Sequence, residues 1–540
     1  MNNAMADHSV FVDRSSTPAD IQYSPVFNVA VPMIDRHLEN NRGAYTAIIN
    51  TDTTESADIK ITYQQLAERV NQCGNLLRSF DSQPGDRILM VVKDCPEFFY
   101  IFWGAIKAGL APVPLNTLLR ADDYQFIIED SGCAGLIYSS EYQDEVATAL
   151  EASSHQPGFI LSVDGPSGIC DLLADHSPIL KPAPATADSD CFWLYSSGST
   201  GRPKGAVHRH RDIITTCVYY AEDTLTMTQE DICFSAAKLF FAYGLGNAMT
   251  FPMWVGGTAV LSSQRPSPGM TFQIIADHKP TIYFGVPTLY AAQLRALEED
   301  STGLSTRNFA SIRCCVSAGE ALPADIFRRW QEKTKTLILD GIGSTEALHI
   351  FISNTMADHR PGTSGRPVPG YQMKILDDYD KIVAAGEPGS LLIKGDSNSV
   401  HYWNNPQKTA ETMVDGWLNT GDTYFQDQDG YFVYCGRSDD MLKVGGIWCS
   451  PVEIESRLIE HPLVLEAAIV GRPDADELIK PEAFVVLNNA VDASESLADD
   501  LLKHCQDGLA RYKYPRWFNF VEELPKTATG KIQRFKLRSR

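Results

Sequence analysis

The chain has 540 residues, with Lys+Arg 46 against Asp+Glu 68 and a formal net charge of -22 at pH 7. A negative surface of that size repels phosphate polymers and anionic membranes unless a local basic patch overrides it, which sets nucleic-acid binding aside. The length exceeds one small domain, and 44% hydrophobic with 21% charged residues marks a chain that buries a sizeable core. Twelve cysteines run from Cys73 to Cys505 with no C-x-x-C pair, and the 12 histidines include no H-E-x-x-H run, so buried free thiols are expected and no zinc site. The N-terminus MNNAMADHSV lacks the basic and apolar regions of a secretory signal. The longest apolar run, Phe98 to Leu115, is interrupted by Lys107 and two prolines. It falls short of the roughly 18 to 20 apolar residues that cross a bilayer. A cytoplasmic protein without a membrane span is the expectation.

In chain order, GDRILMVVKDCPEFFYIFWGAIKAGLAPVPLN from Gly85 reads as strand, helix, strand. Ile88 to Val92 is a continuous β-type run, Pro96 suits a first helical turn, Gly109 can end the helix, and Ala111 to Leu115 resumes extended structure. LIYS at Leu136, TAVL at Thr258, TIYFGV at Thr281 and IRCCVSAG at Ile312 are further short buried strands. Their alternation with helical segments predicts a large α/β domain with mostly parallel sheets. Gly and Pro cluster at 361–370 and 386–389, where a β-rich subdomain is expected. From Gly436 the pattern changes to a small α+β segment ending in the basic KIQRFKLRSR.

The stretch Tyr195 to Gly205, YSSGSTGRPKG, packs glycines and hydroxyls around Lys204. Such a loop approaches a polyanion closely, offering backbone N–H groups, hydroxyls and one positive charge. The pattern predicts a phosphate cradle between a strand and a helix. It is not a Walker A loop, since Lys204 is followed by Gly205.

SSGSTGRPKG resembles the phosphate-binding loop of the adenylate-forming acyl-CoA synthetase superfamily. Four later segments resemble that family's motifs in the same order: GIGSTE (Gly341 to Glu346) its adenine and metal segment, LNTGD (Leu418 to Asp422) its ribose segment, GRSDDMLKVGG (Gly436 to Gly446) its hinge, and PKTATGKIQR (Pro525 to Arg534) the loop with its catalytic lysine. The resemblance implies a large multi-subdomain N-terminal α/β domain, residues 1–436, binding ATP and the acid. It further implies a small mobile α+β C-terminal lid, residues 437–540, turning about Asp439. It places Ser197, Gly198, Ser199, Thr200, Gly201, Lys204, Gly319, Asp340, Gly341, Ile342, Gly343, Ser344, Thr345, Asp422 and Arg437 at the nucleotide.

The chemistry asks for such parts independently. A carboxylate is a poor acyl donor. Its attack on the α-phosphorus of ATP makes an acyl-adenylate and pyrophosphate, and the CoA thiol then displaces AMP. Two anions meet in the first step, so the site must supply positive charge and position. Lys531 would bridge the carboxylate and the α-phosphate, Glu346 would hold Mg²⁺, and Thr200 would contact the same phosphate group. Asp422 can accept from both ribose hydroxyls, with Arg437 in support.

Within the superfamily the chain most resembles the benzoate-type aryl-CoA ligases, through AKLFFAYGLGNAMTFP (Ala237 to Pro252) and DGIGSTEALHIFISN (Asp340 to Asn354). The resemblance places Phe241, Ala242, Tyr243, Gly343, His349 and Ile350, with Lys531, around the ring of benzoate, 2-aminobenzoate or a hydroxybenzoate. A slot of flat aromatic and small residues suits a ring. Gly445 and Gly446 would border the pantetheine of CoA, and Tyr512 and Arg516 of RYKYPRW would meet its nucleotide. Loading of a separate carrier protein instead of CoA stays open, as do a nucleotide-sensing role without catalysis and a homodimer.

Overall fold

The computed structural model describes residues 6–52, 58–165, 167–196, 202–300, 308–444, 447–475, 477–488, 493–526 and 532–538. The expected parallel sheets are present. A four-stranded sheet runs Ala111–Pro114, Arg87–Val91, Gly135–Tyr138, Phe159–Ser162, every neighbouring pair parallel. A nine-stranded sheet runs Arg366–Pro367, Ile350–Ser353, Ile338–Gly343, Cys314–Ser317, Ile282–Gly285, Ile232–Ser235, Thr258–Leu261, Thr46–Asn50, Ile59–Thr62. Its members from Ile338–Gly343 to Thr46–Asn50 are parallel, and antiparallel strands close both edges. The parallel strands read as unbroken apolar runs because helices cover both faces.

The helix Pro96–Ala108 starts on its proline and stops at Gly109, whose φ of 91° few side chains tolerate. Its aromatic face is buried in the main core with Tyr63, Leu66, Val70 and Leu77 of the helix Tyr63–Arg78. The apolar run from Phe98 is therefore a core helix followed by a strand. Among the described residues no helix is long and apolar enough to cross a membrane.

The Gly/Pro clusters do introduce a β-rich part. Gln372–Leu376, Gly389–Lys394, Trp417–Gln426, Met413–Val414 and Phe432–Arg437 form an antiparallel sheet. Its last strand runs to Arg437, one residue past the expected boundary at 436, because Arg437 pairs in register with Asp422. Beyond it lie the hairpin Leu442–Val444/Ile447–Cys449, the sheet Val464–Pro473, Ile479–Leu487, Trp517–Phe520, and the helices Pro451–Ile459, Glu495–Gln506 and Arg534–Arg538.

All 12 cysteines are free, and only Cys170 is exposed. Three buried histidines carry a stability consequence. His37 accepts the Arg42 Nε–H on Nδ1 at 3.1 Å and its Nε2 lies 2.6 Å from the Met253 carbonyl. His210 Nδ1 accepts the Val29 N–H, and His349 Nε2 lies 3.1 Å from Asn247 Oδ1. Burial lowers each from 6.5 to about 3, with Arg36 and Arg42 adding repulsion at His37. Unfolding frees these rings to take protons below pH 6.5, so the unfolded chain binds more protons between pH 6.5 and 3 and stability is lost as pH falls through that window. The limiting slope is about 1.4 kcal/mol per pH unit for each ring. The thermal midpoint should therefore drop between about pH 7.5 and pH 5.5; a midpoint that holds or rises on acidification contradicts the neutral assignment.

Candidate active site

The sequence-predicted residues of the N-terminal part gather at the carboxyl ends of parallel strands, where open α/β sheets bind ligands. Gly319 follows Cys314–Ser317, Asp340 to Glu346 span the end of Ile338–Gly343, and Phe241 to Tyr243 follow Ile232–Ser235.

The phosphate-loop expectation needs one correction. The loop joins two antiparallel strands, Asp190–Ser196 and Lys204–Arg209, with Lys204 opposite Ser196, and the helix His210–Thr216 starts only after the second strand. The run KGAVHR is half-polar and gives no strong strand signal in the sequence. Ser197, Gly198, Ser199, Thr200 and Gly201 lie outside the described residues, as do Gly445, Gly446 and Lys531.

Glu346 is the centre of what is described. Its Oε1 accepts from Ser196 Oγ at 3.1 Å and from the Tyr402 hydroxyl at 2.9 Å, and its carbonyl accepts the Ser399 N–H at 2.6 Å. Lys204 Nζ sits 4.7 Å from the centroid of the same Tyr402 ring. Burial lowers the Lys204 pKa against the pull of Glu346, while Lys408 and Arg437 add repulsion. Cations thus crowd one spot of an acidic protein. The turn that carries Glu346 is fixed by His208, whose Nε2 lies 2.9 Å from the Thr345 carbonyl and whose Nδ1 lies 3.1 Å from Asp212. Ser344 Oγ accepts the Ala347 N–H at 3.1 Å. Ser196, Tyr402 and His208 were absent from the sequence-based set. Ser196 is the first residue of SSGSTGRPKG, whereas Tyr402 lies 56 residues from Glu346 in no recognisable pattern and emerges only from the fold.

Asp340 is buried, and burial pushes its carboxyl well above the ordinary range. It stands across the strand pair from Ser317, whose side chain, with the N–H groups of Leu322 and Gly341, acts against that burial. Gly341, Ile342 and Gly343 continue the strand, paired with Ser353, Ile352 and Ile350. Asp422 is buried with Oδ1 3.1 Å from Arg437 Nη1, which also donates to the Thr420 carbonyl at 3.0 Å.

The ring-pocket candidates converge in part. His349 is surrounded by the rings of Phe251 at 4.4 Å, Tyr220 at 5.1 Å and Tyr243 at 5.6 Å. The Tyr243 hydroxyl donates to the carbonyls of Gly285 and Val316. Phe241 stands at the start of the short helix Ala242–Leu245 with its ring against Phe240. Ile350 is buried and pairs with Gly343.

The C-terminal candidates are separate. Tyr512 packs partly against the core of the C-terminal sheet, and Arg516 is exposed, its N–H donating to the Pro481 carbonyl at 2.8 Å. Two arginines of the basic C-terminal run are paired within the C-terminal part. Arg534 is bidentate to Glu455 at 2.8 and 2.9 Å and lies 3.4 Å from Asp440, while Arg538 pairs with Asp440 and donates to the Asp439 carbonyl.

A family model for the AMP-binding enzyme matches residues 34–403, and one for the AMP-binding enzyme C-terminal domain matches residues 453–531. The chain belongs to the AMP-binding enzyme family. It is similar to a benzoate–CoA ligase of Thauera aromatica, 48% identical over 530 residues that cover 98% of each chain. Among solved structures it is similar to an anthranilate CoA ligase in complex with anthranoyl-AMP, with a TM-score of 0.90 and 40% identity over 95% of this chain and 97% of that one. A benzoate CoA ligase from Burkholderia xenovorans has a TM-score of 0.87 and 43% identity over 95% of this chain and 100% of that one.

Tyr402→Phe keeps the ring beside Lys204 in this AMP-binding enzyme and deletes one donor to Glu346. A hydrogen bond to a charged group contributes about 1.5 to 3 kcal/mol, and less at a half-buried carboxylate. The variant should melt measurably lower and bind AMP more weakly by less than about tenfold; wild-type values in both calorimetric measurements would contradict the contact.

Proposed function

We infer that the chain is an ATP-dependent aryl-CoA ligase. It converts benzoate or a substituted benzoate such as 2-aminobenzoate to an aryl-adenylate, releasing pyrophosphate, and then to the CoA thioester, releasing AMP. The observation that carries this reading is the 48% identity to a benzoate–CoA ligase along 98% of both chains. The cation-rich spot around Glu346 supports it, because an acid and a triphosphate meet only where local charge offsets their repulsion.

In the first step a carboxylate oxygen of the acid bonds to the α-phosphorus, and the bond from that phosphorus to the bridging oxygen breaks, pyrophosphate leaving with the electron pair. Lys204 and the loop hydroxyls of Ser197, Ser199 and Thr200 hold the phosphates. Asp340 meets the polar edge of the base, alongside Gly319 and Gly341 to Thr345. Asp422, braced by Arg437, accepts from the ribose hydroxyls. Lys531 spans the incoming carboxylate and the α-phosphate.

Magnesium fits this site without a protein cage. Glu346 carries both its side-chain hydrogen bonds on Oε1, so Oε2 is available among the described residues, and Mg²⁺ is commonly held by one or two carboxylates plus substrate phosphates. No group of three or more His, Cys, Asp or Glu that could hold a metal by itself occurs among the described residues. When bound, the ion would neutralise phosphate charge. Glu346 would hold it, and Tyr402 and Ser196 hold Glu346.

In the second step the thiol sulfur bonds to the aryl carbonyl carbon, AMP leaves, and the thiol proton passes to solvent. The division of labour places the acid and ATP on the part up to about residue 436 and makes the remainder a lid turning about Asp439. Gly445 and Gly446 would leave room for pantetheine, and Tyr512 and Arg516 would meet the CoA nucleotide. The aromatic group around His349, with Phe241, Ala242, Gly343 and Ile350, would hold the ring.

The decisive assay supplies ATP, Mg²⁺, CoA and a panel of benzoate, 2-aminobenzoate and hydroxybenzoates, and follows AMP, pyrophosphate and thioester. Ring-acid-dependent formation of all three is expected; thioester formed only on a phosphopantetheinyl carrier would sink the CoA reading. Lys531→Ala should retain ATP binding and cut adenylate formation about 10²- to 10³-fold, the scale of one preorganised charge. A loss below about tenfold contradicts that role. Glu346→Gln should raise the half-saturating Mg²⁺ concentration in a nucleotide-binding titration; an unchanged value removes Glu346 as the ligand.

A further inference from the structure

The turn after Arg87–Val91 carries a carboxylate that the steps above do not use. Asp94 is 4% exposed. Its Oδ1 accepts the Leu239 N–H at 3.0 Å, and its Oδ2 lies 3.9 Å from Lys238 Nζ. Lys238 Nζ also donates to the carbonyls of Ser262 at 2.7 Å and Gln264 at 2.8 Å. One carboxylate from the turn after an interior strand of the four-stranded sheet therefore grips a segment that leaves the nine-stranded sheet after Ile232–Ser235.

That segment is the lead-in to Phe241, Ala242 and Tyr243. The Phe241 N–H donates to the Lys238 carbonyl at 3.1 Å. Gly244 lies so close to the same carbonyl that a Cβ there would stand 2.0 Å from its oxygen. With no slack between Lys238 and Gly244, a shift at Lys238–Leu239 is passed to Phe241–Tyr243 instead of being absorbed locally. A buried carboxylate costs free energy unless it is paired and hydrogen-bonded, and the pair with Lys238 at 3.9 Å is loose.

We propose that Asp94 is a positioning residue for the aryl acid: its charge holds Lys238 and Leu239 and thereby sets the wall formed by Phe241 to Tyr243. The proposal rests on the ring-pocket reading given above. Burial pushes the Asp94 carboxyl up to about 6, with Lys238 and the Leu239 N–H acting against burial and the nearby Asp52 acting with it. Of its chain neighbours, Lys93 is drawn to Glu141 at 2.9 Å, and burial keeps the Cys95 thiol protonated. As pH falls through about 6 Asp94 becomes neutral and its pull on Lys238 is lost. Because folding raises this pKa, the ionised form is a stability cost at neutral pH that the grip on the pocket wall retains.

The test uses the full-length enzyme with benzoate, ATP and CoA from about pH 5.5 to 8.5. Turnover of benzoate by the wild type establishes the ligase reading by itself, and the proposal is read only from the variants. Asp94→Ala should raise KM for benzoate about tenfold, the scale of a lost hydrogen bond to a charge, with KM for ATP unchanged. Wild-type kcat/KM for benzoate should fall below about pH 6, and Asp94→Asn should lack that limb. Asp94→Asn should also melt no lower than wild type at about pH 8. If Asp94→Ala does not fold, Lys238→Met takes its place with the same benzoate-specific rise, and adding Asp94→Asn to it should produce little further loss. Equal rises in both KM values, a retained acid limb in Asp94→Asn, or additive losses in the double variant would overturn the proposal.

Discussion

The carboxylate of Glu346 is the point on which the N-terminal part closes. Its donors arrive from a hairpin strand 150 residues upstream and from Tyr402, 56 residues downstream, so three parts of the chain must reach final register before one oxygen is satisfied. A half-made network of this kind is worse than none, since a charged group left with missing donors is costly. The arrangement also explains why the neighbouring turn is so strongly pinned. His208, fully buried and bonded to Asp212, holds the Thr345 carbonyl, so the backbone beside Glu346 cannot tilt without breaking a second buried contact.

Charge is distributed by the same economy. The chain is acidic overall, yet Lys204, Lys408 and Arg437 repel one another near Glu346. Most cations are paired internally, there as elsewhere: Lys408 with Glu411, Arg437 with Asp422, Arg313 with Asp231, Arg360 with Asp427 and Asp429, Arg534 with Glu455. Lys204 has no ion pair among the described residues, a local charge that the whole-chain value conceals. The surrounding acidity discourages longer polyanions from competing for it.

Much of this was legible before any coordinates. The parallel strands from Ile88, Leu136, Thr258, Thr281 and Ile312 are apolar runs bounded by turn residues, and each appears within a residue or two of its expected place. The motif residues Asp340 to Glu346 and Asp422 to Arg437 fall together because the motifs encode strand ends and a cross-strand pair. What escaped the sequence was set by tertiary contact. The strand Lys204–Arg209 gains its partner only when the loop folds back. Tyr402 and Asp94 look like ordinary loop residues until their distant partners arrive. Nothing local to Arg534 and Arg538 reveals that Glu455 and Asp440 are their partners.

The hidden thiols bear on the chemistry in another way. An enzyme that generates an activated acyl group next to a thiol acceptor risks acylating itself, since any competent sulfur nearby is a rival acceptor. Rivalry requires a thiolate. Here eleven cysteines are buried, and burial raises the exposed Cys170 as well, with Glu97 adding to the shift. The fold thus keeps its own thiols protonated, so they do not compete as thiolates with the thiol that arrives from solution.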